Sequence, residues 1–87
     1  MTTYITACDS YGTRFTVSGD GQYFVLTVRN DDYEEHNHEH HYDNLEDAEY
    51  AFNSEIEDFD IITCHHTKAY ADHYDLDYEN GHVIFQE

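Results

Sequence analysis

Apolar and polar residues alternate along the first third of the chain. In QYFVLTVR, Phe24, Leu26 and Val28 share one parity, and Tyr23, Val25, Thr27 and Arg29 share the other. Successive side chains of a strand point to opposite faces, so this stretch predicts a strand in a sheet covered on one side only. The run TRFTVS, residues 13–18, precedes it across Gly19-Asp20-Gly21, a Gly-rich loop of hairpin type. Residues Tyr4 to Cys8 predict an earlier strand in the same sheet.

The period then changes. Leu45, Ala48, Phe52, Ile56 and Phe59 fall on one face of a helix, and Asp43 or Asn44 supplies the N-cap. Asp60 to Thr67 predicts a strand with Ile61 and Ile62 as its apolar residues, and His73 to Phe85 predicts a second hairpin turning at Glu79-Asn80-Gly81. Within that hairpin Tyr74, Leu76 and Tyr78 face one way, and Asp75, Asp77 and Glu79 the other. Residues 31–43 show no apolar period and read as a polar loop. The expectation is an α+β fold for residues 1–87 as a single domain, an antiparallel sheet of about four to six strands with one amphipathic helix packed on it.

Charge changes the picture more than length does. Twenty Asp and Glu face three Lys and Arg, a formal net charge of -17, while 16% aromatic residues argue against simple disorder. Solubility alone is served by a net charge of roughly 2–8 in a small domain, and self-repulsion opposes compaction. A polyanion of this density is excluded as a direct nucleic-acid binder or a ligand of anionic membranes. Its partners are cations, metal ions or the basic grooves of other proteins. The start MTTYITACDSYG lacks a signal-peptide pattern, and no apolar run approaches membrane length, so the reading is a soluble cytoplasmic protein. Cys8 and Cys64 lie in apolar strand-like runs and are expected as buried free thiols.

Between Arg29 and Lys68 no Lys or Arg occurs, yet residues 31–60 carry thirteen carboxylates. An ordinary exposed helix balances Glu with Lys at i, i+4 spacing. Here Glu46 and Asp47 suit the N-terminal end of the helix, whereas Glu55, Glu57 and Asp58 oppose its dipole at the C-terminal end. Sequence that accepts such a cost points to a surface kept negative for a purpose. The candidate partner-binding residues are Asp31, Asp32, Glu34, Glu35, Glu46, Asp47, Glu49, Tyr50, Glu57, Asp58, Asp75, Asp77 and Glu79.

Four histidines interrupt this acidic stretch. His36, His38, His40 and His41 form the alternative reading, a zinc-binding module. They lie in a polar segment without cysteine or paired zinc-site spacing, so exposed loop histidines are expected, with no metal or cofactor assigned. DLDYENG begins like a calcium loop, but Gly81 falls one place late. No nucleophile elbow, phosphate loop or carboxylate pair in an apolar frame occurs, and no catalytic residue or enzymatic activity is expected.

In size, in its charge and in the Lys- and Arg-free stretch Asp31–Asp60 with Tyr33, Tyr42 and Tyr50, the chain resembles the small acidic DNA-mimic inhibitors encoded by phages and mobile elements, the anti-CRISPR and anti-restriction proteins. That resemblance implies an inhibitor that occupies the nucleic-acid groove of a basic protein, a CRISPR effector or restriction enzyme, in the cytoplasm of a bacterial host. Tyrosines, Tyr50 first, would anchor it, and a homodimer is compatible with the same reading.

Overall fold

Five strands build one antiparallel sheet: β1 (Thr2–Asp9), β2 (Arg14–Gly19), β3 (Phe24–Arg29), β4 (His38–Tyr42) and β5 (Ile61–His66), in the order β4-β3-β2-β1-β5. The computed structural model describes residues 1–85, with the side chain of His36 excepted. The expected α+β architecture is present. Two helices, α1 (Leu45–Ile56) and α2 (Lys68–His73), and a ribbon of β6 (Asp77–Glu79) with β7 (His82–Ile84) complete it.

Register explains the core. Val17 lies opposite both Ile5 and Leu26, and Phe15 lies opposite Ala7 and Val28. Directly paired residues of antiparallel strands share a face, so these side chains form one apolar surface. Leu45, Ala48 and Phe52 of α1 close over it, with Ile5, Phe15, Val17, Leu45 and Phe52 fully buried. Burying each such side chain stabilises the fold by about 1.5–3 kcal/mol. Gly19 also sits in this layer: a Cβ there would come within 2.7 Å of the Phe24 ring, so only glycine lets Phe24 lie across the end of β2. The following turn is tied by Asp20, whose Oδ1 accepts from the Gln22 and Tyr23 amides. The Gln22 amide bond, first among these, holds the Asp20 carboxyl below its ordinary range.

The helix α1 starts as its sequence predicts. Asn44 is extended, and its Oδ1 accepts from the Asp47 amide at 2.8 Å. It stops at Ile56, earlier than the apolar period implies, because Phe59 leaves the helical path yet still meets Phe15 edge-on at 4.9 Å.

Several expectations need correction. The histidine stretch is not a loop: residues 38–42 pair with β3 as an edge strand. A second helix, α2, occupies residues 68–72, which carried no assignment, and His73, expected to open the C-terminal hairpin; Thr67 caps it, its hydroxyl accepting from the Tyr70 amide, and Tyr70 and Ala71 are its buried residues. The C-terminal ribbon is shorter than expected: Tyr74 is the C-cap of α2 and Asp75 turns the chain at φ 55, so only Asp77 and Glu79 of the three acids lie on a strand. Cys8 is half-buried, but Cys64 is exposed, and both thiols are free. Among the described residues no helix is long and apolar enough to cross a membrane.

Candidate functional site

The anionic surface is assembled from separate stretches. α1 returns along β4, so its C-terminal end meets the loop between β3 and β4: Asn30, Tyr33, Asn37 and His38 share a cleft with Glu55 and Phe59. Asp31, Asp32, Glu34 and Glu35 therefore crowd the same end of the molecule as Glu55, Glu57 and Asp58. All of these except Glu55 are exposed. The acidic surface continues along α1, where Asp47, Tyr50 and Glu55 line a shallow groove against His40 and Tyr42. At 1.5 Å per residue, Asp47 and Glu55 lie about 12 Å apart along the axis. Tyr50 projects from the middle of this surface with 77% of its area exposed.

Glu49 behaves differently. It turns toward α2, accepts from the Tyr70 hydroxyl at 2.6 Å and lies 4.0 Å from His66. Glu49 therefore points into the fold and not toward the exposed acidic surface. Desolvation, with the Glu49 hydrogen bond and charge behind it, raises the Tyr70 phenol far above its ordinary range. Burial followed by the charges of Glu49 and Glu46 pushes the half-buried Tyr74 phenol up to about 12. Burial also lowers His66, against the raising effect of Glu49. Asp75, Asp77 and Glu79 are exposed on the turn and ribbon after α2, on an element separate from the cleft.

Among the described residues the histidines of this stretch divide between the two faces of β4. His38 and His40 lie opposite Val28 and Leu26 and share the helix-covered face, their rings 5.3 Å apart. His41 lies on the other face, stacked on Tyr23. His38 Nε2 meets Glu55 Oε1 at 3.1 Å. The His36 side chain lies outside the described residues, and among the described residues no three His, Cys, Asp or Glu are grouped to hold a metal ion.

Lys and Arg side chains are few at this surface. Arg14 and Arg29 lie directly opposite one another on the sheet face that the helices leave open, and Lys68 pairs with Asp72 within α2. Arg14 reaches the acidic loop at Asp31, in an exposed 3.5 Å pair of small worth.

Sequence reading passed over the cleft itself. Its floor is Asp9, which continues the inward parity of Ile5 and Ala7; an acid on a core-facing parity is the signal that was available. No protein-family model, no curated protein and no solved structure matches the chain.

Proposed function

We propose that the protein is an acidic inhibitor that imitates a nucleic-acid backbone and occupies the basic groove of a nucleic-acid-binding protein, a CRISPR effector or restriction enzyme of a bacterial defence system. The observation that carries this reading is the set of exposed carboxylates at Glu46 and Asp47 at the start of α1, at Glu57 and Asp58 past its end, and in the Asp31–Glu35 loop. Arg14 and Arg29 are rooted on the open face of the sheet, and among the described residues only Asp31 of these acids is in contact with Arg14. Carboxylates on such a surface meet Arg and Lys side chains that otherwise hold phosphate, in bidentate geometry where Arg allows. Long-range attraction speeds the encounter, and an exposed aromatic such as Tyr50 supplies the anchor that rim charges lack. Work of this kind belongs in the cytoplasm of the host cell.

Competition tests the reading. A short DNA duplex added to the complex with the captured partner displaces the protein in proportion to its concentration. Formation of a ternary complex, with DNA and protein bound to the partner together, sinks the reading. Glu46→Lys combined with Tyr50→Ala weakens the complex, and unchanged affinity would place the binding face elsewhere.

A further inference from the structure

We infer that the cleft at the loop end of the sheet is a receptor for a single arginine side chain of the partner. This rests on the reading above, in which the partner presents a basic groove.

The cleft has a volume of about 610 Å³ and lies between the β1–β2 loop, the β3–β4 loop and the end of α1. Asp9 forms its floor and is only 2% exposed. One carboxylate oxygen, Oδ1, is fully used, accepting from the Tyr11 amide at 3.0 Å and the Thr13 amide at 2.7 Å. The other, Oδ2, is buried and has no hydrogen-bond partner. Its neighbours are satisfied: Asn30 Nδ2 donates to the Tyr11 carbonyl and to Thr13 Oγ1, and the Asn30 amide donates to Asn37 Oδ1. Both loops are thus fixed by their own bonds, and the unused acceptor is a carboxylate oxygen. Buried polar atoms are nearly always paired, so an orphan of this kind marks a place where a donor is missing.

The walls say which donor. Tyr11, Tyr33 and Phe59 are aromatic side chains with 74%, 53% and 38% of their area exposed, and no Lys or Arg lines the cleft. Glu55, one of whose oxygens meets His38, adds a second carboxylate at the rim. Exposed aromatic rings lining a cleft with a buried carboxylate suit a planar cation that stacks on rings while donating in its own plane, which describes a guanidinium. An ammonium supplies charge without the stacking plane, and a metal ion wants more oxygen ligands than Asp9 and Glu55 provide.

The test uses the intact chain and needs no partner. Amide ¹⁵N–¹H spectra are recorded while N-acetyl-arginine amide is added, then the lysine and citrulline analogues in separate titrations. The arginine probe should give saturating shifts at Tyr11, Thr13 and Asn30, the lysine probe weaker ones, and neutral citrulline none. Asp9→Asn should weaken arginine binding by roughly tenfold or more, as expected when one member of a buried charge pair is neutralised. Tyr11→Ala, exposed and outside the core, should weaken it several-fold and keeps the test alive if the Asp9 variant does not fold. Arginine shifts spread along α1 without saturation, or a citrulline probe that binds equally well, would overturn the inference while leaving the exposed anionic surface as the basis of inhibition. Saturable arginine binding alongside failed DNA competition would uphold the site and remove the nucleic-acid mimic instead.

Discussion

Replacing Glu57 by lysine should make the protein more stable and a weaker binder. Glu57 is the C-cap of α1, still helical at φ -59 and ψ -30, and the last turn holds no basic residue. Its negative charge faces the negative end of the helix dipole, beside Glu55 and Asp58. A carboxylate in that place costs about 0.3–1 kcal/mol at low salt and a cation gains a similar amount, so reversal adds about 0.6–2 kcal/mol. Glu57 is exposed, and screening brings the gain toward the lower end of that range in physiological salt. In a domain of this size each kcal/mol moves the thermal midpoint by roughly 4–8 °C. Circular dichroism melts at low and high sodium chloride, with Glu57→Gln as the neutral control, measure it. The reasoning predicts a raised midpoint for Glu57→Lys, about half the rise for Glu57→Gln, and a gain that shrinks as salt is added. An unchanged or lowered midpoint at low salt would refute it, as would a gain indifferent to salt. Partner binding should fall in the same variant, so stability and function part in opposite directions at one residue.

Three further perturbations test the fold that carries the surface. Phe52 is fully buried under α1, and Phe52→Ala should cost about 3–5 kcal/mol in urea unfolding, most of what a domain of this size has to lose. Asn44→Ala removes the cap of α1 and should cost about 1 kcal/mol in the same assay. Tyr70→Phe deletes the bond to Glu49 and should cost about 1–2 kcal/mol, toward the low side for a hydrogen bond to a charged group because Glu49 is partly solvated. The same change alters the alkaline limb. Both phenols are raised in the folded state, so above pH ~10 the unfolded chain loses protons first and stability falls as pH rises. Tyr70→Phe should flatten that fall between pH 10 and 12, and a limb of unchanged slope would show that Tyr70 does not set it.

What the sequence disclosed follows from which contacts are local. The alternation in residues 13–29 and the helical period from Leu45 each encode a buried face, and both faces meet in the core. The strand β4 was hidden because its inward residues are His38, His40 and Tyr42: at an edge beside the helix, polar side chains are tolerated where an inner strand would need apolar ones. The helix α2 was hidden by its length of six residues, too short for a period to develop around Tyr70 and Ala71. Much of the site is likewise non-local. Glu49 read as one more exposed acid because Tyr70, its partner, lies 21 positions away. The cleft over Asp9 exists only once two loops and a helix end are brought together.

The central claim is that the anionic surface exists to hold a basic nucleic-acid-binding protein. Its most direct measurement is capture by the immobilised protein from nuclease-treated bacterial lysate, eluted with a rising salt gradient and identified by mass spectrometry. The account predicts a CRISPR, restriction or other nucleic-acid enzyme released as salt increases, and no such protein on a column carrying the Glu46→Lys, Asp47→Lys, Glu57→Lys variant. A lysate in which nothing bound is salt-sensitive, or in which the same protein binds wild type and variant alike, would contradict it.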